Sequence, residues 1–292
     1  MSASKNHHYI PRSLLKNFTV RGDQTFHLSR DSATQEAVAR NIKSIFKRRS
    51  YNTLIEEDGK RNDDLEVFFG KQFDNYIPEF TSIFNESIAT SKLTFPSPDL
   101  RARFVQFFYN HRTRTPDFSD PIVESSIREV FTDEQLNRFE SENREICQEE
   151  RVQFFNSEWQ KFVAGQARVI NFSRQSGHIL NILNKMEIIV ATPISVAKKF
   201  IIGSNPVVRF ENYPEQELGD EGVELWTTFS PEIAVGFVVG PKHPNVIALP
   251  NQEVLKLNRT LARNSKSIAG TSSKLLKTLS KTEWSSEHSL FY

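Results

Sequence analysis

The sequence predicts an α+β fold: a mainly helical body, a small, mostly antiparallel C-terminal sheet and a final helix. Three observations support this prediction. From residue 63 onwards apolar residues recur at spacings of three and four, which is the period of a helix. After about residue 186 the apolar segments become short, rich in β-branched and aromatic residues, and bounded by proline or glycine, as is typical of strands. A helical period returns near the C-terminus.

Composition limits the class of protein. The chain has 292 residues, 37 Lys and Arg against 36 Asp and Glu, and one cysteine. A chain of this length buries a core without disulfides, and Cys147 alone forms neither an internal disulfide nor a paired-cysteine zinc site. Since no apolar run reaches the roughly 20 residues of a membrane helix and no secretory signal is visible, we expect a cytoplasmic protein without membrane association.

Proline positions define the first helices. Pro11 suits the first position of a short helix over 12–18. Pro78 is predicted to kink the helix that begins near residue 63. A second helix follows the break at Ser97 and stops near Thr115, which precedes a proline.

A long helical stretch is predicted next. Thr132 and Gln135 form a capping box, and the helical period continues to Leu183 with a break near Ser176. Most of the 24 phenylalanines lie at helical spacing beside other apolar residues. This pattern indicates a phenylalanine-rich core rather than a platform for stacking bases.

The last third is predicted to contain short strands and one helix. The strands are expected over 187–191, 200–202, 206–210, 225–229 and 233–239. Asn251 is the predicted N-cap of the last helix, which is expected to continue without interruption to about residue 279.

We predict a single domain, 1–292, because the sequence shows neither repeats nor low-complexity segments. Its segments are a basic N-terminal motif segment (1–61), a helical body (62–185), a strand-rich region (186–250) and a C-terminal helix (251–280).

Charge is unevenly distributed. Residues 1–61 hold 12 Lys and Arg against 6 Asp and Glu, and residues 241–292 hold 8 against 3. If the two ends meet in the fold, they form a basic face suited to phosphate-bearing partners such as nucleic acid or a nucleotide. The alternative is ordinary solvated surface that the acidic middle of the chain neutralises.

The most unusual local string is Asn6-His7-His8-Tyr9-Ile10-Pro11-Arg12. Imidazoles just before a helix N-terminus suit an anion and general acid or base chemistry near neutral pH. The candidate catalytic residues are therefore His7 and His8, with Tyr9 and Arg12 as candidate substrate-binding residues. The alternative is that His7 hydrogen-bonds within the fold while His8 packs.

We predict no metal and no cofactor. His7 and His8 on an extended segment point to opposite faces, so that only one of them can bind a given ion. The string is also similar to the histidine-rich core of HNH-type endonucleases. Those nucleases need a second metal-binding histidine within a ββα unit, whereas only His27 is nearby and no ββα pattern surrounds it.

Arg114 lies in the string Asn110-His111-Arg112-Thr113-Arg114-Thr115-Pro116, which closes the second helix. A basic side chain there complements the negative end of the helix dipole, which is a sufficient structural role. Alternatively, Arg114 binds a carboxylate or phosphate through two parallel hydrogen bonds.

Ser204 and Asn205 occupy a tight polar turn between two predicted strands. Residues of these types can present backbone N–H groups and a side-chain amide to a ligand, which makes both candidate substrate-binding residues. A plain hairpin turn is the alternative.

Together, these strings resemble a known family. They are His-His-Tyr-Ile-Pro, Leu-Leu-Lys-Asn-Phe, Arg-Thr-Pro, Ser-Asn-Pro-Val-Val, Phe-Ser-Pro and, near the end, Leu-Asn with Ala-Arg downstream. In this order and at these distances they resemble the bacterial domain of unknown function 4238 family, from His7 to about Ser267.

The resemblance implies one soluble bacterial domain and brings no established activity with it. It adds Asn258 to the candidate substrate-binding residues. The usual family string carries an aspartate where this chain has Ser204, so that a catalytic acid or metal ligand at that position would be lost here. A role in a toxin-like or phage-defence system is one interpretation of the resemblance.

Two functions stay open at this point. The first is an enzyme, such as a nuclease, acting on a phosphate-bearing substrate, with His7 or His8 as acid or base, Arg114 as the anion clamp and Asn205 as the orienting group. It predicts that these residues share one pocket. The second is a non-catalytic binding or sensor module in which the same residues form buried structure.

Overall fold

The protein is represented by a computed structural model that describes residues 6–173, 175–240 and 244–285. The outermost residues of both predicted basic ends therefore lie outside the described residues, as does residue 241, which was expected to bound a strand. The α+β class is confirmed: helices dominate the middle of the chain, strands follow, and the last element is a helix.

The strands and helices are numbered in chain order. The strands are β1 (Asn6–His8), β2 (Gln24–Ser29), β3 (Val38–Asn41), β4 (Lys47–Arg49), β5 (Leu54–Ile55), β6 (Arg61–Asn62), β7 (Glu187–Pro193), β8 (Ile202–Gly203), β9 (Val207–Phe210), β10 (Glu224–Ser230), β11 (Ile233–Val238), β12 (Val246–Leu249) and β13 (Ser267–Gly270). The helices are α1 (Arg12–Leu15), α2 (Asp64–Gln72), α3 (Ile77–Thr90), α4 (Pro98–Thr113), α5 (Pro116–Val130), α6 (Asp133–Glu142), α7 (Gln148–Phe154), α8 (Ser157–Ser173), α9 (Gly177–Lys185), α10 (Asn251–Arg263) and α11 (Ser273–Glu283).

Two main sheets organise the fold. The first has the order β12-β7-β11-β10-β9 and is antiparallel except for the parallel pair of β12 with β7. The second has the order β3-β2-β13-β8 and is antiparallel throughout. Sequence analysis did not foresee the second sheet, because it joins N-terminal strands to strands more than 160 residues later in the chain.

Capping residues set several helix boundaries as predicted. Ser97, Thr132 and Ser176 each accept a hydrogen bond from a backbone N–H of the first turn of α4, α6 and α9. The predicted kink at Pro78 is wrong, because a 3₁₀ turn separates α2 from α3 and Pro78 lies in the first turn of α3. The long stretch from Thr132 is also divided into α6, α7, α8 and α9 rather than broken once.

The uninterrupted helix predicted over 251–280 is wrong. Strand β13 lies between α10 and α11, and all four of its residues are buried between β2 and β8. Its two sheet neighbours satisfy the backbone groups that a helix would otherwise satisfy internally. Asn251 is not the N-cap either, since Pro250 occupies that position without a side-chain hydrogen bond.

The turn at Ser204 and Asn205 is not a hairpin. Strand β8 pairs with β13 in the second sheet, whereas β9 pairs with β10 in the first. The turn therefore carries the chain from one sheet to the other and lies where the two sheets meet.

The phenylalanine-rich core is observed. Helices α3 and α4 pack their phenylalanines against one face of the five-stranded sheet. Phe104 is fully buried and contacts seven other phenylalanine rings with centroid separations of 5.2–6.4 Å. A second apolar cluster lies between the sheets and helices α10 and α11.

The basic ends of the chain meet through the pairing of β2 with β13. Acidic side chains neutralise part of this surface: Glu283 pairs with Arg259 at 2.5 Å and with Arg263 at 2.8 Å, and Glu36 pairs with Lys277. The surface therefore does not form a purely basic face over the described residues.

Candidate functional site

The two adjacent histidines point away from each other on β1, as the alternation of a strand requires. His7 is fully buried, and its Nδ1 accepts a hydrogen bond from the backbone N–H of Asn52 at 2.9 Å. The proton of a neutral His7 ring is therefore on Nε2, which lies 3.6 Å from Oδ1 of Asp63. His7 has no free lone pair with which to accept a proton from a ligand.

His8 faces a basic environment. Burial, Arg12 and Lys47 lower the pKa of His8 to about 4, so that its ring is neutral at pH 7. Arg12 itself is exposed at the start of α1. No hydrogen bond, ion pair or ring contact joins His8 to Arg114 or Asn205 among the residues that the structure describes.

Asp117, in the first turn of α5, links three of the predicted strings. Its Oδ2 accepts hydrogen bonds from the hydroxyl of Ser204 and from the backbone N–H of Lys266, the latter at 2.8 Å. The N–H of Ser267 donates to Oγ of Ser204 at 3.0 Å, and burial together with the nearby charge of Asp117 raises the pKa of Tyr9. Tyr9 and Ser204 therefore share a site, although with a carboxylate that sequence analysis did not single out.

Burial raises the pKa of Asp117, while the hydrogen bonds from Ser204 and Lys266 oppose that shift. We expect Asp117→Ala to lower the free energy of unfolding by about 1–3 kcal/mol, because the buried hydroxyl of Ser204 loses its acceptor. Urea denaturation measures the change. Asp31→Ala, at an exposed aspartate, is the control and should change stability by less than about 0.5 kcal/mol; an equal loss in both variants would contradict a role for Asp117 in joining the strings.

Asn205 and Asn258 hold the polypeptide near β8. The backbone N–H of Asn205 donates to Oγ of Ser265 at 3.1 Å. Asn258 accepts from the N–H of Ile201 at 3.0 Å and donates to the carbonyl of Lys199 at 2.8 Å. Both the oxygen and the nitrogen of the Asn258 side chain are thus hydrogen-bonded to the backbone next to β8.

Arg114 is the C-cap residue of α4, but its side chain pairs with a carboxylate rather than with the last carbonyls of the helix. Its guanidinium is 2% exposed and pairs with Asp74 at 3.0 Å, and it lies 5.4 Å from the ring centre of Phe69. Beside it, burial and the charge of Arg114 lower the pKa of His111, which stacks on Phe107. Arg114 is therefore part of the interior, where it ties α4 to the 3₁₀ turn before α3.

The segment from Tyr51 to Thr53 separates His7 from the protein surface. Thr53 donates to Asp63 at 2.5 Å, and the side chain of Asn52 donates to Glu66 at 2.8 Å. On the other side, the carbonyl of Tyr51 accepts a hydrogen bond from Arg168. The buried histidine network thus supports the wall of a cleft that lies beyond this segment.

The cleft is open, has a volume of about 430 Å³, and lies between α5 and α8 beside β4 and the turn that follows it. Four cationic side chains and two carboxylates line it. They are Arg48, Arg49, Lys161 and Arg168 against Asp120 and Glu124.

Arg168 is the most unusual of these charges. It is only 9% exposed, and its guanidinium lies 3.6 Å from the ring centre of Tyr51. Nη2 donates to the carbonyl of Tyr51, whereas the buried Nη1 has no hydrogen-bond partner among the described residues. Burial lowers the pKa of Arg168 and raises the pKa of Tyr51 to about 12, so that Tyr51 is neutral at pH 7.

Sequence analysis missed Asp117, Tyr51 and Arg168. Arg168 lies in a segment that reads as an ordinary amphipathic helix, and Tyr51 follows a run of basic residues. The one available signal was the position of Asp117 in the first turn after the Arg-Thr-Pro string, because a carboxylate there can accept hydrogen bonds near a helix N-terminus.

Over residues 6–173, 175–240 and 244–285, no group of three or more His, Cys, Asp or Glu side chains is arranged to hold a metal ion. Within the same ranges, no helix has the length and apolar character needed to cross a membrane.

Together the fold and the site define an α+β protein with buried polar motifs and a cationic cleft between α5 and α8. A family model described as a protein of unknown function (DUF4238) matches residues 6–274. The chain belongs to this family, which confirms the resemblance drawn from its motifs. No curated protein and no solved structure matches the chain.

Proposed function

We propose that the protein binds a phosphate-bearing ligand in the cleft between α5 and α8, and that its polar motifs are buried structure rather than groups that carry out a reaction. The observation that carries this proposal is the buried guanidinium of Arg168, whose Nη1 has no partner among the described residues while three more cationic side chains line the same cleft.

The charges of the cleft favour an anion. Arg48 is largely neutralised, since its Nη1 lies 2.7 Å from Oδ2 of Asp120. Arg49 and Lys161 have no ion pair among the described residues, and they face the single remaining carboxylate of Glu124. A guanidinium with a free N–H in a site of low dielectric constant binds phosphate more strongly than an exposed one does.

The positions of the motif residues favour binding over catalysis. The lone pair of His7 is used by the backbone of Asn52, His8 lies near Arg12 and Lys47, and Arg114 is paired inside the core. The hypothesis of an enzyme requires these side chains to reach a common substrate, and none of the three lines the cleft.

Binding is tested by isothermal titration with inorganic phosphate and with adenosine monophosphate at low ionic strength. We expect Arg168→Gln to weaken binding by about tenfold to a hundredfold, since a charge-assisted hydrogen bond to a ligand contributes about 1.5–3 kcal/mol. Arg49→Gln should weaken it less, because Arg49 is exposed and screened by solvent.

Arg138→Gln is the matched control, because Arg138 is exposed and lies outside the cleft. It should bind like the wild type. Circular dichroism of Arg168→Gln checks that the variant is folded, and Arg49→Gln provides a second variant that leaves the interior intact. Failure of the wild type to bind either probe would overturn the proposal, and turnover of adenosine monophosphate seen by ³¹P NMR would return the enzyme hypothesis.

A further inference from the structure

The cleft also has an apolar part with open space beside Gly165. Val123 and Ile127 lie one turn apart on α5 and line the cleft, and Gly165 on α8 faces the same space. A Cβ atom built on Gly165 would meet no atom within 4 Å. Since glycine is the least favourable residue of a helix interior after proline, its presence here leaves room that any other side chain would occupy.

The charged and apolar parts of the cleft follow from the helix period. On α8, Lys161, Gly165 and Arg168 are separated by four and three residues, so that they share one face of the helix. Arg168 lies near Asp120 and Arg48. Gly165 lies between Lys161 and Arg168 on this face and lines the same cleft as Val123 and Ile127.

We propose that the ligand is a mononucleotide, with its phosphate at Arg49 and Arg168 and its base lying over Gly165 against Val123 and Ile127. The proposal rests on the proposed function and adds the chemical class of the ligand. A planar base needs a surface without a projecting side chain, which Gly165 provides. The volume of about 430 Å³ lies within the range of pockets that hold a single small ligand.

The test compares the affinities of three kinds of probe by isothermal titration. They are inorganic phosphate, ribose 5-phosphate and the four nucleoside monophosphates. We expect at least one nucleoside monophosphate to bind the wild type about tenfold or more tightly than ribose 5-phosphate, because only the nucleotides place a base on the apolar surface.

Gly165→Leu separates the two parts of the site. The leucine side chain should fill the space over the helix, so that nucleoside monophosphates no longer bind more tightly than ribose 5-phosphate. The affinity for ribose 5-phosphate itself should stay unchanged within about threefold. Gly70→Leu is the matched control, because Gly70 is also helical, its added Cβ also meets nothing within 4 Å, and it lies outside the cleft. It should keep the wild-type order of affinities.

The outcomes distinguish the two proposals. If the wild type binds inorganic phosphate and ribose 5-phosphate as tightly as every nucleotide, the mononucleotide is wrong and phosphate binding stands. If Gly165→Leu keeps the nucleotide advantage, the base does not lie over Gly165. If no probe binds, both proposals are overturned.

Discussion

Arg114→Ala is expected to lower the free energy of unfolding by about 3–5 kcal/mol, the cost of removing one partner of a buried ion pair. The remaining partner is Asp74, which lies 3.0 Å from the guanidinium in the native protein. This loss is much larger than the roughly 0.3–1 kcal/mol expected if Arg114 only complemented the helix dipole. Urea denaturation of the wild type and of Arg114→Ala decides between a buried ion pair and a helix-dipole role.

The loss should also depend on pH. Burial raises the pKa of Asp74 above its ordinary value of 3.8, and Arg114 opposes that shift. A raised pKa in the folded state means that stability is fully present below the unfolded pKa and falls as the pH rises through the folded pKa. Arg114→Ala removes the charge that opposes this shift, so the pKa of Asp74 in the folded variant should rise further. The loss of unfolding free energy relative to the wild type should therefore grow as the pH rises above about 4 and shrink in acid.

Two variants serve as controls for this prediction. Arg138→Ala breaks an exposed pair with Glu142, which should cost no more than about 1 kcal/mol. Asp74→Asn in the Arg114→Ala background removes the unpaired charge and should recover part of the stability at neutral pH. A loss in Arg114→Ala no greater than that of Arg138→Ala would show that the buried pair contributes little.

Phe104→Ala should destabilise the protein by a similar amount, about 3–5 kcal/mol, because it leaves a cavity at the centre of the aromatic core. Phe104 is fully buried and lies between α3, α4 and the five-stranded sheet, with Phe84 and Phe80 on one side and Phe237 on the other. Denaturant midpoints and slopes measure the effect.

Phe139→Ala is the comparison for this variant, since Phe139 is 44% exposed on α6 and should cost less than about 1 kcal/mol. The contrast tests whether the phenylalanines act by packing. Wild-type stability of Phe104→Ala would contradict the prediction. It would show that packing around Phe104 contributes little to the stability of the fold.

Local patterns account for the parts of the fold that were predicted correctly. Helix starts at Ser97, Thr132 and Ser176 depend on hydrogen bonds between residues three apart. The errors at Pro78 and at β13 have the opposite origin. Pro78 fits equally well inside a kinked helix and at the start of a new one, and Ile268 and Ala269 fit either a helix or a buried strand.

The candidate site was predicted only in part. The strings around Tyr9, Arg114 and Ser204 were identified as unusual, and the structure brings Tyr9 and Ser204 together around Asp117. Arg114 lies only three residues before Asp117, but its side chain pairs with Asp74 instead. A motif indicates which residues are special, whereas the direction of each side chain depends on what its helix or strand packs against.

The sequence by itself determined the α+β class, the segments with a helical or a strand period, and membership of the family, because each of these depends on neighbouring residues or on ordered strings. Only the tertiary structure decided which distant residues meet. The bonds of Asp117 to Ser204 and to Lys266 span 87 and 149 residues, and the cleft of Arg168 forms where α5 and α8 pack side by side. No local period encodes such contacts, since they arise from burial of apolar faces by elements far apart in the chain.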